Sequence, residues 1–234
     1  MKSELMGEGG ITQRQIDNLA ALALGLSELP EGYRHFSMDM YYGGSHSPKS
    51  IGELVDDIAE DGCGTTACAC GHGPSMGIGL SDVESFAIGD VKPFATADDS
   101  NPLDRSIDWD DYSMSAFGMH AHSTLAFSHI WHWCFSAPWG LTYEGRQLDN
   151  TPQGAACRIV AALEGNIPDE YVDVFTTRST DQPYVVSLIL NDKPLPYDND
   201  HTKIKSRLEK LGLLQRAIDT LEEGFKARRD MLGW

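Results

Sequence analysis

The chain has 234 residues, 41% of them hydrophobic and 23% charged, which suits one domain with a real core rather than a disordered chain. Its formal net charge of −17 argues against binding nucleic acid through the phosphate backbone, which requires Lys and Arg. No apolar run approaches the roughly 18–20 residues needed to cross a bilayer, and Met1–Gly10 lacks the apolar stretch of a signal peptide, so no membrane association and a cytoplasmic location are expected. Five cysteines, three of them between Cys63 and Cys70, fit reduced thiols or a metal site better than a disulfide framework.

Charge is uneven along the chain. Residues 201–234 carry a net charge of +3, so the first 200 carry −20. Such an acidic body with a mildly basic end could steer towards a basic partner, or serve solubility alone.

Thr12 and Gln15 have capping-box spacing, and Ile16, Leu19, Ala20, Ala23 and Leu26 follow at helical spacing; Pro30–Gly32 end that helix. Phe36–Tyr42 is expected to be extended, with Gly43 and Gly44 breaking it. Ser50 and Glu53 repeat the capping box before Leu54, Val55 and Ile58. Asp61-Gly62 makes a turn into Cys63-Gly64-Thr65-Thr66-Ala67-Cys68-Ala69-Cys70-Gly71-His72, and Gly77 and Gly79 close that region. A short helix capped by Ser81 is predicted over 81–89.

Residues 92–113, with two prolines and six Asp, read as an acidic loop; Asp108, Asp110 and Asp111 lack the central Gly and terminal Glu of a calcium loop. Residues 114–136 read as one or two buried aromatic helices. Thr151-Pro152 opens a helix that Gly165 ends, and Pro168 begins a short one towards Phe175. Tyr184–Leu190 is the strand candidate. The last helix is predicted over 201–231 with a heptad-like seam, weakened by Gly212 and Gly224. That seam could dock on the core or form a homodimer.

The expected fold is therefore mainly α, with α+β as the alternative: a compact helical domain with a small β hairpin and a long C-terminal helix. Residues 11–176 form the helical core carrying the cysteine motif. Residues 177–234 add the β element and the terminal helix, packed on the core or on a partner.

Three readings of the cysteine motif stay open. Cys63, Cys68 and His72 suit a zinc site, completed by a remote ligand such as His120, His122, His129 or Cys134, if Cys68 and His72 share a helix face. Cys63 suits a nucleophile at a helix start, with His72 or a remote histidine as base. Small residues and buried thiols suit plain packing. His129 and His132 invite the same metal-or-core question. Trp109, Trp131 and Trp133, with Trp139 and Tyr112, could line a pocket that stacks a planar ligand or could simply build an aromatic core. Walker loops, G-x-S-x-G, H-E-x-x-H and zinc-deaminase signatures are missing.

Phe36 with Met38, Cys63 to His72, Trp139, and Thr151-Pro152 with Ala155, Ala156, Arg158 and Ile159 together resemble an uncharacterised family of small proteins from bacteria and their phages. The resemblance covers roughly residues 36–165 and leaves out the 81–135 insertion and the C-terminal part. It implies equivalents of Cys63 and Cys68, not reliably of Cys70, and a phage or mobile-element origin. The leading expectation is an acidic, phage-like accessory protein that binds a protein partner or a small ligand and so interferes with a host system. A cysteine-dependent hydrolase or transferase and a structural zinc protein are the alternatives.

Overall fold

The computed structural model describes residues 10–36, 42–43, 50–53, 66–90, 105–119, 128–135, 142–143, 146–147, 149, 151–167 and 197–233. In chain order these contain α1 (Gln13–Ser27), β1 (Tyr42–Gly43), β2 (Thr66–Ala67), β3 (Ala87–Asp90) and β4 (Arg105–Ile107). Then come α2 (Trp109–Phe117), α3 (Ser128–Phe135), β5 (Thr142–Tyr143), β6 (Arg146–Gln147), α4 (Pro152–Glu164), α5 (Ile204–Lys210) and α6 (Leu214–Leu232). The class is mainly α, as the periodicity predicts. The strands form three small antiparallel pairs, β1–β2, β3–β4 and the β5–β6 hairpin. The strand expected at 184–190 and the helix expected towards Phe175 lie outside the described residues.

Helix α1 starts where the capping box places it. Thr12 N donates to Gln15 Oε1 at 2.8 Å, and Gln15 N donates back to Thr12 Oγ1 at 3.3 Å. Burial is wider than the predicted stripe: Asp17, Asn18, Ala21, Leu22 and Leu24 are covered too. A helix buried nearly all round sits at the centre of its fold, and α1 packs against α4, α6, α2 and α5. It also closes the end of α2. Gln15 Nε2 donates to Met114 O and Ser115 O, and Asn18 Nδ2 donates to Ala116 O at 2.8 Å. Met114 O also accepts from the capping Gly118 N at 2.9 Å, whereas the carbonyls that follow it in the last turn of a helix lack a donor within the helix.

Helix α4 begins at Thr151, whose hydroxyl accepts from Gly154 N, and ends at Gly165 in the left-handed conformation. The second capping box holds as well: Ser50 N donates to Glu53 Oε2 and Glu53 N to Ser50 Oγ.

Four expectations change. The 81–89 helix is a 3₁₀ turn, Leu80–Ser85, followed by β3, and its start is Gly79 at φ 77 rather than a Ser81 cap. The acidic loop contains β4 and the start of α2, because Asp108 caps α2 by accepting from Asp110 N and Asp111 N. Gly43 does not break the extended stretch; it pairs with Thr66. The C-terminal helix is divided at Gly212, φ 70, where Gly212 N donates to Glu209 O and Leu213 N to Leu208 O. That is the closing pattern of a helix end, so α5 and α6 change direction between Leu211 and Leu213.

Helix α6 is held on the core by contacts that need small residues. A Cβ on Gly224 would lie 2.6 Å from Met76 O and 3.0 Å from Gly77 C. A Cβ on Gly77 would overlap the Gly224 carbonyl, and one on Gly25 would lie 2.6 Å from Met76 Sδ. Gly224, a weak point in helix propensity, is thus the place where α6 crosses the core. Nearby, Arg216 Nε and Nη2 donate to the two carboxylate oxygens of Asp17 at 2.7 and 2.6 Å. No helix among the described residues is long and apolar enough to cross a membrane.

Candidate functional site

The cysteine motif enters the described structure at β2, paired with β1 through Tyr42 opposite Ala67. Beyond it the chain turns twice rather than forming a helix. His72 N donates to Cys68 O at 3.1 Å and Gly73 N to Cys70 O at 3.0 Å, before a 3₁₀ turn over Pro74–Met76. Cys68 and His72 therefore do not share a helix face. Gly73 is required here because a Cβ would run into the Tyr112 hydroxyl. That hydroxyl donates to Ile78 O at 2.9 Å and pins the turn to α2. Residues 68–78 are all buried.

His72 is 1% exposed. Its Nδ1 lies 2.9 Å from Cys68 O. A carbonyl only accepts, so this partner assigns the ring proton to Nδ1 and leaves a lone pair on Nε2. Nε2 is buried and has no hydrogen-bond partner. The surrounding walls are aromatic: Tyr33 edge-on at 5.7 Å between ring centroids, and Phe36 tilted at 5.3 Å, with His35 beyond Tyr33. Tyr33, His35 and Phe36 are only partly buried, so the aromatic side of His72 lies close to the surface. Burial chiefly, with a contribution from His35, holds the His72 pKa down to about 4. The ring is neutral at physiological pH.

The thiols behave differently. Burial pushes Cys68 up to about 11 and Cys70 well above its ordinary value. Cys134 and Cys157 are also buried and raised, each to about 12. A reactive cysteine needs the opposite shift, so Cys68, Cys70, Cys134 and Cys157 serve as small apolar side chains. Cys63, the nucleophile candidate and first zinc ligand, lies outside the described residues. Among those described, no three His, Cys, Asp or Glu side chains are grouped to hold a metal ion.

The tryptophans are placed in different surroundings. Trp131 Nε1 donates to Ser113 Oγ at 2.8 Å, whereas Trp133 Nε1 donates to Arg158 O at 2.9 Å. Trp109 stands edge-on to Tyr112 at 5.8 Å. His132 is half-buried against Trp131; His120, His122 and Trp139 lie outside the described residues, as does the His129 side chain.

Comparison with family models, with curated proteins and with solved structures finds no match.

A second polar cluster, which no sequence motif announces, surrounds Arg158 in the middle of α4. The side chain is fully buried. Its Nε donates to Trp133 O at 3.1 Å and its Nη1 to Asp149 O. The Asp149 carboxylate accepts from Thr151 N at 3.0 Å, Thr151 Oγ1 at 2.6 Å and Asn199 Nδ2 at 3.0 Å. Burial opposes ionisation of Asp149, but the bonds from Thr151 and Asn199 and the Arg158 charge outweigh it and hold the pKa below the ordinary value. Three polar atoms of this cluster are buried and without a partner: Arg158 Nη2, Tyr197 OH and Asn199 Oδ1. The available signal was a charged residue on the same helical stripe as Ala155, Ile159 and Ala162.

Proposed function

We propose that the protein acts by binding, and that the aromatic side of His72 receives a small planar ligand carrying an N–H or O–H donor. The observation behind this reading is the Nε2 atom: buried, neutral, unpartnered and faced by aromatic rings. Leaving such an acceptor without a donor costs about 1–3 kcal/mol, which a ligand donor would recover. Tyr33 and Phe36 supply apolar faces for a flat molecule. The pKa also bears on the choice between ligand acceptor and catalytic base. A base works best with a pKa near the working pH; at about 4, His72 is a weak proton acceptor and a suitable hydrogen-bond acceptor.

The test is a fragment screen read on the His72 ring nitrogens by long-range ¹H–¹⁵N NMR. Planar heteroaromatic donors should shift Nε2 saturably in the wild type and lose their binding in His72→Phe. A screen in which none moves Nε2 overturns the reading.

A metal is the second reading, supported by the same proton placement: an imidazole whose Nδ1–H is fixed by a carbonyl presents Nε2 as a ligand atom. Cys63 would be the companion thiolate. Zinc retained in the native mass and lost in Cys63→Ser and His72→Phe would favour it. The phage-type accessory role is an extension of the binding reading. Recovery of a host protein only while the His72 ligand is bound would support it.

A further inference from the structure

We propose that Arg158, Tyr197 and Asn199 form a second binding site, which takes the carboxamide of a small neutral ligand. The site is separate from His72 in its residues and its chemistry. Buried polar atoms are nearly always paired, and this cluster leaves three of them unpaired on two neighbouring segments. Arg158 Nη2 can only donate, Asn199 Oδ1 can only accept, and the Tyr197 hydroxyl can do either. Tyr197 is fixed edge-on to Trp133 at 5.2 Å between ring centroids. Burial raises the pKa of its hydroxyl against the charge of the neighbouring guanidinium, with which it makes a loose contact that falls short of full hydrogen-bond geometry.

Charge and orientation select a neutral group. The Asn199 amide is oriented by its Nδ2–H bond to Asp149 Oδ2, so Oδ1 is the free end. An anion entering here would face that acceptor and the Asp149 carboxylate. A carboxamide instead offers its oxygen to Arg158 and Tyr197 and its N–H to Asn199. The interior end, Arg158, is closed to solvent, while Asn199 and Asp149 are half-buried and Thr151 is exposed, so the cluster reaches the surface on that side.

The test uses the full chain and follows the Arg158 Nε–H signal, which burial and its bond to Trp133 O should keep visible. Acetamide should shift it saturably, and N,N-dimethylacetamide, which lacks the donor, should bind about tenfold more weakly, the equivalent of one net hydrogen bond. Tyr197→Phe removes a hydroxyl that makes only a loose contact with Arg158, so it should fold normally, retain the Nε–H signal and weaken acetamide binding. His72→Phe should bind acetamide as the wild type does, which separates this site from the one proposed above. A larger shift with acetate than with acetamide would overturn the neutral assignment. No saturable shift with any of the three would overturn the proposal altogether and leave the atoms to an internal water.

Discussion

The stretch from Cys68 to Leu80 has two sides that are equally buried and differently finished. On one, Met76 and Gly77 lie against Gly25 and Gly224 with no room for a Cβ. On the other, His72 carries a nitrogen with no partner, and its ring lies against Tyr33 and Phe36. Loose packing does not explain the second side, because the first shows how closely this stretch can pack. A similar pairing occurs along α4. Arg207 spends its guanidinium fully, donating at 2.8 Å to both oxygens of Glu164 and to Asp198 O. Arg158, more deeply buried, donates to two main-chain carbonyls and leaves Nη2 open. Satisfied and unsatisfied groups thus stand side by side, and the unsatisfied ones mark the candidate sites.

The tight side should be the easiest to break. Gly77→Ala combines left-handed backbone strain of about 1–2 kcal/mol with a Cβ overlapping the Gly224 carbonyl, and overpacking adds about 1–3 kcal/mol. A loss of about 4 kcal/mol is expected in a denaturant titration, with an unchanged slope if both states stay as compact. A loss below about 1 kcal/mol would mean that α6 can lift away from Met76.

Arg207→Met comes next, at about 3 kcal/mol. It leaves Glu164 without its bidentate partner and Asp198 O without a donor; the estimate lies at the low end for a buried pair because the Glu164 side chain is 22% exposed. Adding Glu164→Leu should recover much of the loss, since a removed pair costs less than a broken one. Failure to recover would show that the guanidinium matters mainly through Asp198.

The His72 side should respond to pH. The folded-state pKa is depressed to about 4 from an ordinary 6.5. Above 6.5 the ring is neutral in both states and carries no pH-dependent penalty. As pH falls through 6.5 the unfolded chain takes up a proton that the folded chain refuses until about 4, so stability falls across that window. The loss is roughly 3 kcal/mol. His72→Phe should remove that part of the acid dependence. It should alter stability at pH 7.5 by less than about 1 kcal/mol, because Cys68 O still accepts from the residue 72 amide and no unpaired nitrogen remains. An unchanged acid profile in the variant would place the titration elsewhere.

Local chemistry made most of the fold legible. Thr12-x-x-Gln15, Ser50-x-x-Glu53 and Thr151-Pro152 each set a helix start through bonds within four residues, so their outcome depends little on the rest of the chain. Asp108 shows how the same chemistry was hidden. In a stretch of six Asp it read as loop composition, although a capping Asp followed by Asp110 and Asp111 in the first turn suits the positive end of a helix. The site was half legible. Cys68 and His72 could be singled out by residue type, but the open atom is Nε2 because Tyr33 and Phe36, some forty residues earlier, bring rings and not donors. Tyr197 and Asn199 join the cluster around Arg158 and Asp149 only through the tertiary fold, and nothing in the spacing announces them.

The smallest expected effect separates two terms combined at Gly77. Gly212 also has a positive φ, 70 against 75, but a Cβ there would meet nothing within 4 Å. Gly212→Ala therefore carries the backbone strain without the overlap. It also gains a little from a less flexible unfolded chain, so the net loss should be about 1 kcal/mol. Asn, which tolerates the left-handed region better, should lose less than Ala. If Gly212→Ala and Gly77→Ala proved equally harmful, strain would account for both and the close crossing of α6 over Gly77 would contribute nothing. The expected gap of roughly 3 kcal/mol is the stabilisation that depends on backbone meeting backbone at Gly224.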